Sequence, residues 1–325
     1  MQSKTIRFQQ PGGPEVLKLE TVEVGAPGPG QALLRHTAIG LNYMDVYHRT
    51  GASPSTLPAG CGGEAAGVVE AVGAGVGEVK VGDRVVYAGG EAGAYAERRL
   101  FPAARLVRIP DGVADDVAAA VMLKGMTVEY LLNRCVTLRT GNHALMYAAA
   151  GGVGLIAGQW ARHIGVKLIG VTNGADKVKL AQKAGYAAVI DRGREDVAAR
   201  VKEITGGAGV PAVFDSVGKA TCETTLASLA PRGFFVSFGS TSGAPPAIEA
   251  GTLMRLGSLY FTRPSLVHYT ATREDLVASA GAVFDLIGKG VLKVHIGKRY
   301  PLADIVQAHI DLEAGRTVGS TIIVP

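Results

Sequence analysis

The sequence predicts an α/β protein of two parts, a compact and partly open β-barrel followed by a doubly wound parallel sheet. Up to about residue 120, short strand-like runs are separated by glycine and proline. From about Thr127 onward, helix-like and strand-like segments alternate, which is typical of a parallel sheet with helices on both faces. The length of 325 residues, of which 47% are hydrophobic, is enough to bury two cores.

The elements follow from local patterns. In the first part, apolar runs predict strands at residues 31–38, 64–72 and 84–88. In the second part, strands are predicted at residues 143–147, 166–171, 187–190, 211–214, 233–236 and 258–261, the last with the character of an edge strand. Helices are predicted at residues 155–164, from Lys177 onward, and at 274–287. A final strand at residues 320–324 is expected to close against the first part.

A glycine-rich turn is the strongest functional signal. Residues 148–154 read AAAGGVG and join a predicted strand to a predicted helix. Here Gly151, Gly152, Val153 and Gly154 bring backbone amides and a helix dipole to a position suited to a dinucleotide pyrophosphate. The segment departs from G-x-G-x-x-G at its first position, but it keeps strand, turn and helix in the required order. A tight turn that binds nothing is the alternative.

Basic residues beyond the next strand indicate NADPH rather than NADH. An NAD site usually places Asp or Glu about 20 residues after the glycines, to bond the ribose hydroxyls. No carboxylate ends the 166–171 strand; Asn173 follows it, and then come Lys177 and Arg192, two cations suited to a 2′-phosphate. Asp176 is interpreted as a solvent-facing cap of the helix that begins at Lys177. An ordinary lysine of a first helical turn is the alternative for Lys177.

Three further predicted strands end in polar tips. Ligands of open α/β sheets bind at the carboxyl ends of strands, so we expect these tips to ring the same crevice as the glycine turn. Helix capping and turn formation are the alternative explanation. The tips read DSVG at residues 215–218, SFGS at residues 237–240 and TRPS at residues 262–265.

Composition argues against several classes of protein. Cys61, Cys135 and Cys222 are scattered and odd in number, so neither a disulfide framework nor a clustered zinc site is predicted. No apolar run reaches the roughly 18 residues of a membrane span, and no signal-peptide core is evident, so the expected compartment is the cytoplasm and no membrane partner is expected. A net charge of +5 without basic runs does not favour a nucleic-acid partner.

With these motifs in place, the chain resembles the zinc-independent, ζ-crystallin-like quinone oxidoreductases of the medium-chain dehydrogenase/reductase superfamily. The resemblance extends over essentially the whole length. It is carried by segments that include GGPEVL at residues 12–17, AIGLNYMDVYHRTG at 38–51, GGEAAGVVEAVG at 62–73, AAAGGVGLIAGQWAR at 148–162 and SLYFTRPSL at 258–266. The family implies a GroES-like β-barrel domain fused to a Rossmann domain, an active site in the cleft between them, and a homodimer.

The departures from the zinc-dependent alcohol dehydrogenases carry chemical information. Where those enzymes place a Cys, a His and a second Cys as catalytic zinc ligands, this chain has Asn42, Gly63 and Lys124. None of the three builds a thiolate or imidazole site, so no metal is predicted. Without a Lewis acid, reduction of an acceptor that is already electrophilic, such as a quinone, is favoured over alcohol oxidation.

The resemblance also implies roles for individual residues. Asn42 and Thr127 would hold the ribose and carboxamide of the cofactor, while Tyr47 and Lys124 would donate to the acceptor oxygen. For Lys124, a cation exposed at a helix start is the alternative. Asp45 is interpreted as a structural hydrogen-bond acceptor rather than a general base. Further residues implied to line the cofactor groove are Ser216, Phe238, Ser240, Arg263 and Ser265.

The resulting prediction is an NADPH-dependent quinone oxidoreductase without a metal. It assigns a GroES-like catalytic domain to residues 1–124, completed by 267–325, and a Rossmann NADPH-binding domain to residues 125–266. An NADPH-dependent enoyl or enone reductase is the nearest alternative. An RNA-binding or structural protein and a cofactor-binding regulator without catalysis are the others. The edge strand at residues 258–261 would pair across the homodimer, as in the family.

Overall fold

The computed structural model describes residues 1–325 and is an α/β fold. Its strands are β1 Gln2–Phe8, β2 Lys18–Glu23, β3 Gln31–Leu41, β4 Ala59–Gly60, β5 Glu64–Val72, β6 Arg84–Ala88, β7 Arg98–Pro102, β8 Val107–Arg108, β9 His143–Tyr147, β10 Lys167–Thr172, β11 Ala188–Asp191, β12 Val210–Asp215, β13 Leu229–Ser237, β14 Tyr260–Thr262, β15 Ile296–Pro301 and β16 Ser320–Val324. Its helices are α1 Tyr43–Thr50, α2 Asp115–Tyr130, α3 Gly152–His163, α4 Ala175–Lys183, α5 Val197–Ile204, α6 Cys222–Ser228, α7 Ala250–Arg255, α8 Leu266–Tyr269, α9 Arg273–Gly288 and α10 Ile305–Glu313. None of these helices is both long enough and apolar enough to cross a bilayer.

The chain divides into two compact units, each built from more than one segment. The first unit comprises Met1–Met126, Thr270–Gly290 and Val294–Pro325. The second comprises Thr127–Tyr269 and Val291–Lys293.

The first unit is built from two β-sheets, as expected for the predicted barrel domain. Seven strands form one sheet in the order β15-β16-β3-β5-β6-β8, with β7 also paired to β3, and β2-β1-β4 form a smaller sheet. Alternate residues of the central strands, such as Leu34, Val69 and Val85, point into one apolar core. The strand β16 pairs antiparallel with β3 and parallel with β15, so the prediction that the last strand closes against the first part is confirmed.

The second unit is a six-stranded sheet in the order β11-β10-β9-β12-β13-β14. Every neighbouring pair is parallel, as predicted, and β14 is an edge strand, as predicted. The chain fills one half of the sheet from β9 to β11 and then returns to the other side of β9 with β12. This is the Rossmann strand order, and its reversal point lies between β9 and β12, where such folds bind ligands beyond the strand ends.

Several boundaries differ from the sequence prediction, and the starts of α3 and β13 differ by three and four residues. The helix α3 begins at Gly152 rather than at residue 155, because Gly151 is its N-cap and the glycines themselves form the first turn. The strand β13 begins at Leu229 rather than at residue 233, and the extra residues include the exposed Pro231 and Arg232. A proline and a charged arginine interrupt the apolar pattern at this point, so the pattern does not reveal the extension; Arg232 adopts a φ of +61° there.

Candidate active site

The turn between β9 and α3 has the geometry of a phosphate cradle. Ala148 adopts a φ of +55°, and Gly151 lies in extended conformation as the N-cap of α3, without a side chain that caps the helix. The first amides of an α-helix have no partner within the helix, so those of Gly152, Val153 and Gly154 are the natural donors to an anion here.

Close packing requires a glycine at position 154, the third glycine of this turn. A Cβ on Gly154 would lie 2.4 Å from the carbonyl oxygen of Ala148 and 2.6 Å from that of Ala149. The carbonyl of Gly154 also accepts a hydrogen bond of 2.7 Å from the buried Tyr186 hydroxyl. Gly154 therefore packs closely against the backbone that follows β9, and Tyr186 holds its carbonyl group. The turn fits the pyrophosphate of a dinucleotide.

The residues that are predicted to bind the 2′-phosphate of NADPH lie around the end of β10. Asn173 follows β10 directly, Lys177 lies in the first turn of α4, and the amide of Arg192 donates to the carbonyl of Thr172, the last residue of β10, at 3.0 Å. Lys177 is half-buried, and Asn173 and Arg192 are exposed. The structure thus brings all three to one strand end.

The interpretation of Asp176 is partly wrong. Its side chain faces solvent, as expected, but the N-cap of α4 is Gly174 and Asp176 is the second residue of the helix. The physical reason lies in a contact distant in sequence, because the carboxylate of Asp191 accepts hydrogen bonds from the amides of Gly174, at 3.2 Å, and Gly193, at 3.1 Å. These bonds anchor Gly174, whose φ of +92° suits glycine, at the start of the helix.

The polar tips of β12, β13 and β14 lie along the same edge of this parallel sheet. The tips of β12 and β13 are joined by hydrogen bonds from the amide of Phe238 to the carbonyl of Asp215, 2.8 Å, and from the amide of Thr241 to the carbonyl of Ser216, 3.1 Å. Arg263 donates to the carbonyl of Ser237 at 2.7 Å. Ser216, Phe238, Ser240 and Ser265 are all half-buried. Their contact with a cofactor stays a prediction.

In the first unit, Asn42 and Lys124 converge on a carboxylate that the sequence analysis did not select. Glu64 is fully buried, and its Oε2 accepts hydrogen bonds from Asn42 Nδ2 at 2.9 Å and from Lys124 Nζ at 3.2 Å. Its Oε1 accepts from the amide of Leu123 at 2.6 Å. The exposed helix-start alternative for Lys124 is wrong, because this residue lies in the second half of α2 and is 5% exposed.

A signal for Glu64 was present in the sequence. Gly40 interrupts the apolar run of β3, and a glycine inside a strand often marks the close approach of another group. A Cβ on Gly40 would lie 2.3 Å from Glu64 Oε2 and 2.4 Å from the carbonyl oxygen of Ala119. The missing side chain of Gly40 therefore makes the space for the Glu64 carboxylate.

Tyr47 and Thr127, the other two predicted catalytic residues, lie in different units. Tyr47 is half-buried on α1 and packs edge to face with Tyr43, one turn earlier, at a ring-centroid distance of 5.4 Å. Thr127 belongs to the second unit, three residues after Lys124 in sequence, and is 7% exposed. Tyr43 was not selected from the sequence, although its spacing of four residues from Tyr47 on a helix was a signal for their contact.

A second buried network supports the N-terminus of α1. Asp45 is fully buried, and its Oδ2 accepts hydrogen bonds from the amide of Asn42 at 2.9 Å and from Tyr95 Oη at 2.7 Å. Tyr95 Oη also lies 3.1 Å from Nε2 of the buried His309. Burial raises the pKa of Asp45 to about 7 and lowers the pKa of His309 to about 3. Asp45 thus acts as the structural acceptor that the sequence indicated, in an environment that favours its neutral form.

Asn42, Gly63 and Lys124 occupy the positions at which zinc-dependent alcohol dehydrogenases have their catalytic zinc ligands. Asn42 and Lys124 contact Glu64, and Gly63, between them in sequence, has no side chain. The structure contains no group of three or more His, Cys, Asp or Glu side chains arranged to hold a metal ion.

Comparisons with known proteins agree with this architecture. Two family models match, the alcohol dehydrogenase GroES-like domain over residues 28–111 and the zinc-binding dehydrogenase over residues 152–282. The chain is 48% identical to a quinone oxidoreductase of Pseudomonas aeruginosa, over 99% of this chain and 100% of the relative. It is 42% identical to a 2-haloacrylate reductase of a Burkholderia species, over 97% of this chain and 96% of the relative.

A solved structure extends the likeness to three dimensions. The crystal structure of Escherichia coli quinone oxidoreductase complexed with NADPH matches with a TM-score of 0.97 at 45% identity, covering 99% of this chain and 100% of that chain. The resemblance inferred from the sequence is thereby confirmed over the full length. The chain belongs to the quinone oxidoreductase family of the medium-chain dehydrogenase/reductase superfamily.

Proposed function

We propose that this protein is an NADPH-dependent quinone oxidoreductase that works without a metal ion. The observation that carries the proposal is that one chain combines the phosphate cradle at Gly151–Gly154 with an amide and an ammonium group, Asn42 and Lys124, at positions of zinc ligands. Full-length identity to quinone oxidoreductases supports it. Residues 125–266 as the NADPH-binding domain, and 1–124 with 267–325 as the catalytic domain, are part of the proposal.

The residues present fit NADPH. The pyrophosphate would bind the amides at the start of α3, and the 2′-phosphate would bind Lys177 and Arg192 beside Asn173. The tips of β12, β13 and β14 would line the rest of the groove, with the half-buried Ser216, Phe238, Ser240 and Ser265 and the exposed Arg263 as contacts. When bound, NADPH supplies a hydride, that is, one proton together with two electrons, to the acceptor.

The catalytic groups of this chain would orient the acceptor and stabilise its developing negative charge. Asn42 and Thr127 would hold the ribose and carboxamide of the cofactor. Tyr47 and Lys124 would donate to the acceptor oxygen; an ammonium group has three donor hydrogens, so Lys124 retains donors beyond its bond to Glu64. A quinone that gains a hydride and one proton from water becomes a hydroquinone, so no further reductant is required.

The first test measures oxidation of NADPH and of NADH at the nicotinamide absorbance, with 1,4-benzoquinone as the acceptor. We expect turnover that is selective for NADPH. Binding of NADPH without turnover of 1,4-benzoquinone would contradict the proposed chemistry while leaving the cofactor assignment intact.

The second candidate function is an NADPH-dependent enoyl or enone reductase, which the 42% identity to 2-haloacrylate reductase favours. Reduction of an enone requires a proton at carbon, and Tyr47 is the candidate donor. Tyr47→Phe should then abolish enone turnover and largely spare quinone turnover, because Lys124 still donates to the quinone oxygen while no other residue is assigned as the carbon acid. Tyr43→Phe, at the other ring of the same aromatic pair, is the matched control. An equal fall of both activities in Tyr47→Phe would exclude Tyr47 as a specific acid.

A homodimer through β14 is the proposed assembly, and the cytoplasm is the proposed compartment. The edge strand β14 exposes 53% of Tyr260 and 40% of Phe261, and the neighbouring Met254 and Val267 are 67% and 59% exposed. Apolar side chains on an unpaired strand edge favour association with a second copy. Light scattering should give the mass of a dimer, and Phe261→Asp should give a monomer; a wild-type monomer at micromolar concentration would refute this assembly.

A further inference from the structure

We propose that a groove along α9 binds an organic monocarboxylate with an apolar body, such as a medium-chain alkyl acid. The groove is formed by residues 273–285 of α9, by residues 77–78 between β5 and β6, and by residues 107–110 at and after β8, and we call it the α9 groove. All of these residues belong to the first unit. The inference concerns a second ligand and goes beyond the proposed reaction.

The first step of the argument is the size and lining of the groove. Its volume is about 730 Å³, which lies within the range of about 300–1,000 Å³ typical of small-molecule sites. The buried Val107 and Phe284, 8% and 7% exposed, form its inner wall. Val277, 43% exposed, and the exposed Pro110 lie nearer to solvent. An apolar body in the groove would therefore remove Val277 and Pro110 from water.

The second step is that two glycines leave the groove open. Gly281 lines it from α9 and Gly77 lines it from the connection between β5 and β6. A Cβ at either position would meet nothing within 4 Å, so packing does not require glycine there. A glycine in the interior of a helix destabilises it relative to alanine. What the missing side chain of Gly281 provides is free space in the groove.

The third step is that ion pairs neutralise two of the charged side chains that line the groove. Arg108 Nε is paired with Asp83 at 2.9 Å. The carboxylate of Asp285 is paired with Lys289, one turn later on α9, at 2.7 Å. These four charges cancel in pairs, so they give the groove no net charge.

The remaining charges are not balanced. Arg273 Nη1 donates to two main-chain carbonyl groups, at 2.9 and 2.5 Å, and the neighbouring Arg105 donates to the carbonyl of Thr270 at 2.6 Å. Neither guanidinium forms an ion pair. Burial lowers the pKa of Arg105, and the positive charge of Arg273 lowers this pKa further. Glu78 is the one other charged side chain of the lining, so two cations face a single carboxylate.

The chemistry of the ligand follows from this balance. One negative charge on the ligand would compensate the excess cation, whereas a second would not be matched. Nε and Nη2 of Arg273 make no hydrogen bond within the protein, and together they present the two parallel donors that a carboxylate accepts. The apolar wall beside them fits a hydrocarbon chain. A monocarboxylate with an apolar body satisfies both parts of the groove.

The test is calorimetry of the full-length protein with octanoate, in excess NADPH so that the cofactor groove is filled. Octanamide has the same chain without the charge, and acetate has the charge without the chain. We expect one octanoate per chain, bound at least about tenfold more tightly than octanamide. Acetate, which lacks six methylene groups, should bind at least about a hundredfold more weakly than octanoate.

Two leucine substitutions on α9 locate the site. Gly281→Leu fills the groove and should weaken octanoate binding by at least about tenfold. Gly288→Leu is the matched control: it lies seven residues later on the same helix, its Cβ would also meet nothing within 4 Å, and it does not line the groove. This variant should bind octanoate as the wild type does.

Two substitutions of Arg273 test the recognition of charge. Arg273→Gln should weaken octanoate binding about ten- to hundredfold and leave octanamide binding nearly unchanged. Arg273→Lys keeps the charge but not the paired donors, so it should recover part of the loss. Because Arg273 also holds two carbonyl groups, Gly281→Leu keeps the test decisive if Arg273→Gln does not fold. Reduction of 1,4-benzoquinone should be unchanged in all four variants.

The contrary outcomes are distinct. No binding of octanoate at millimolar concentration, or equal affinity for octanoate and octanamide, would overturn the inference. Wild-type affinity in Gly281→Leu would place the acid outside the α9 groove and overturn it too, as would an equal loss in Gly288→Leu. A protein that binds octanoate as expected but does not reduce 1,4-benzoquinone would support this site while contradicting the proposed function, since calorimetry requires no turnover.

Discussion

Replacement of Gly154 by alanine should displace α3 from β9 and weaken NADPH binding. The added Cβ would lie 2.4 Å from the Ala148 carbonyl oxygen, whereas real contacts of this kind are at least about 3.0–3.4 Å, so the backbone must move by about 0.6–1.0 Å. The three nearest atoms to this Cβ, the carbonyl oxygen of Ala148 and the carbonyl oxygen and carbon of Ala149, are all backbone atoms, so no side chain is able to rotate away. Overpacking of this size costs about 1–3 kcal/mol of stability.

The same displacement moves the amide donors of the cradle. A hydrogen bond to a charged group contributes about 1.5–3 kcal/mol, and its distance range is narrow, so a shift near 1 Å removes at least one bond to the pyrophosphate. The dissociation constant of NADPH should therefore rise about ten- to hundredfold. Fluorescence titration with NADPH measures this constant, and urea unfolding measures the stability.

Gly281→Ala is the matched control within the same chain. Gly281 also lies in a helix, α9, but its added Cβ would meet nothing within 4 Å. This variant should leave the NADPH dissociation constant unchanged and stabilise the protein by about 0.5–1 kcal/mol. Equal NADPH affinity in Gly154→Ala and wild type would refute the assignment of the turn as the phosphate cradle.

Two further predictions concern the cofactor phosphate and pH. The double variant Lys177→Ala, Arg192→Ala should lower the preference for NADPH over NADH in kcat/KM by at least about tenfold, because two cations beside the 2′-phosphate are lost. The control Lys179→Ala, which removes another lysine of α4, should leave this preference unchanged. For Asp45, burial raises the pKa from 3.8 to about 7, so the folded state keeps a proton that the unfolded state releases, and stability falls as pH rises through that window. Asp45→Asn removes this component; its free energy of unfolding relative to wild type should increase between about pH 5 and pH 8.

Each of these two predictions has a contrary outcome. Unchanged coenzyme preference in the double variant would place the 2′-phosphate away from α4, and a loss in Lys179→Ala equal to that in the double variant would reduce the effect to general surface charge. A constant stability difference between Asp45→Asn and wild type across the pH range would mean that Asp45 is ionised throughout.

The sequence predicted the second unit in more detail than the first for a physical reason. Buried parallel strands are continuous apolar runs with polar tips, so β9 to β12 are visible as local patterns, and the glycine turn identifies where the ligand lies. Fold class and family were also evident. What the local pattern did not give were the starts of α3 and α4, which depend on a glycine N-cap and on the hydrogen bond from Gly174 to Asp191.

The carboxylate at the centre of the first unit's site, Glu64, was not predicted because Gly40 signals only that some group approaches β3, and the partners of Glu64 are distant in sequence. Glu64 is 22 residues from Asn42 and 60 from Lys124, and all three look like ordinary polar residues in their local segments. Their contact exists only after β3, β5 and α2 have packed together. The burial of Lys124 has the same origin, since a lysine in a largely apolar helix gives no sign of its partner until the fold brings one to it.

The position of β16 has a consequence for how the protein is made. This strand lies between β15 and β3, so the main sheet of the first unit is completed by residues translated after the whole of Thr127–Tyr269. During synthesis, the six strands of the second unit have left the ribosome while β3 still lacks its β16 neighbour. A nascent chain should therefore bury the Rossmann sheet first, and β3 should keep an exposed edge open to chaperones until the final strand arrives.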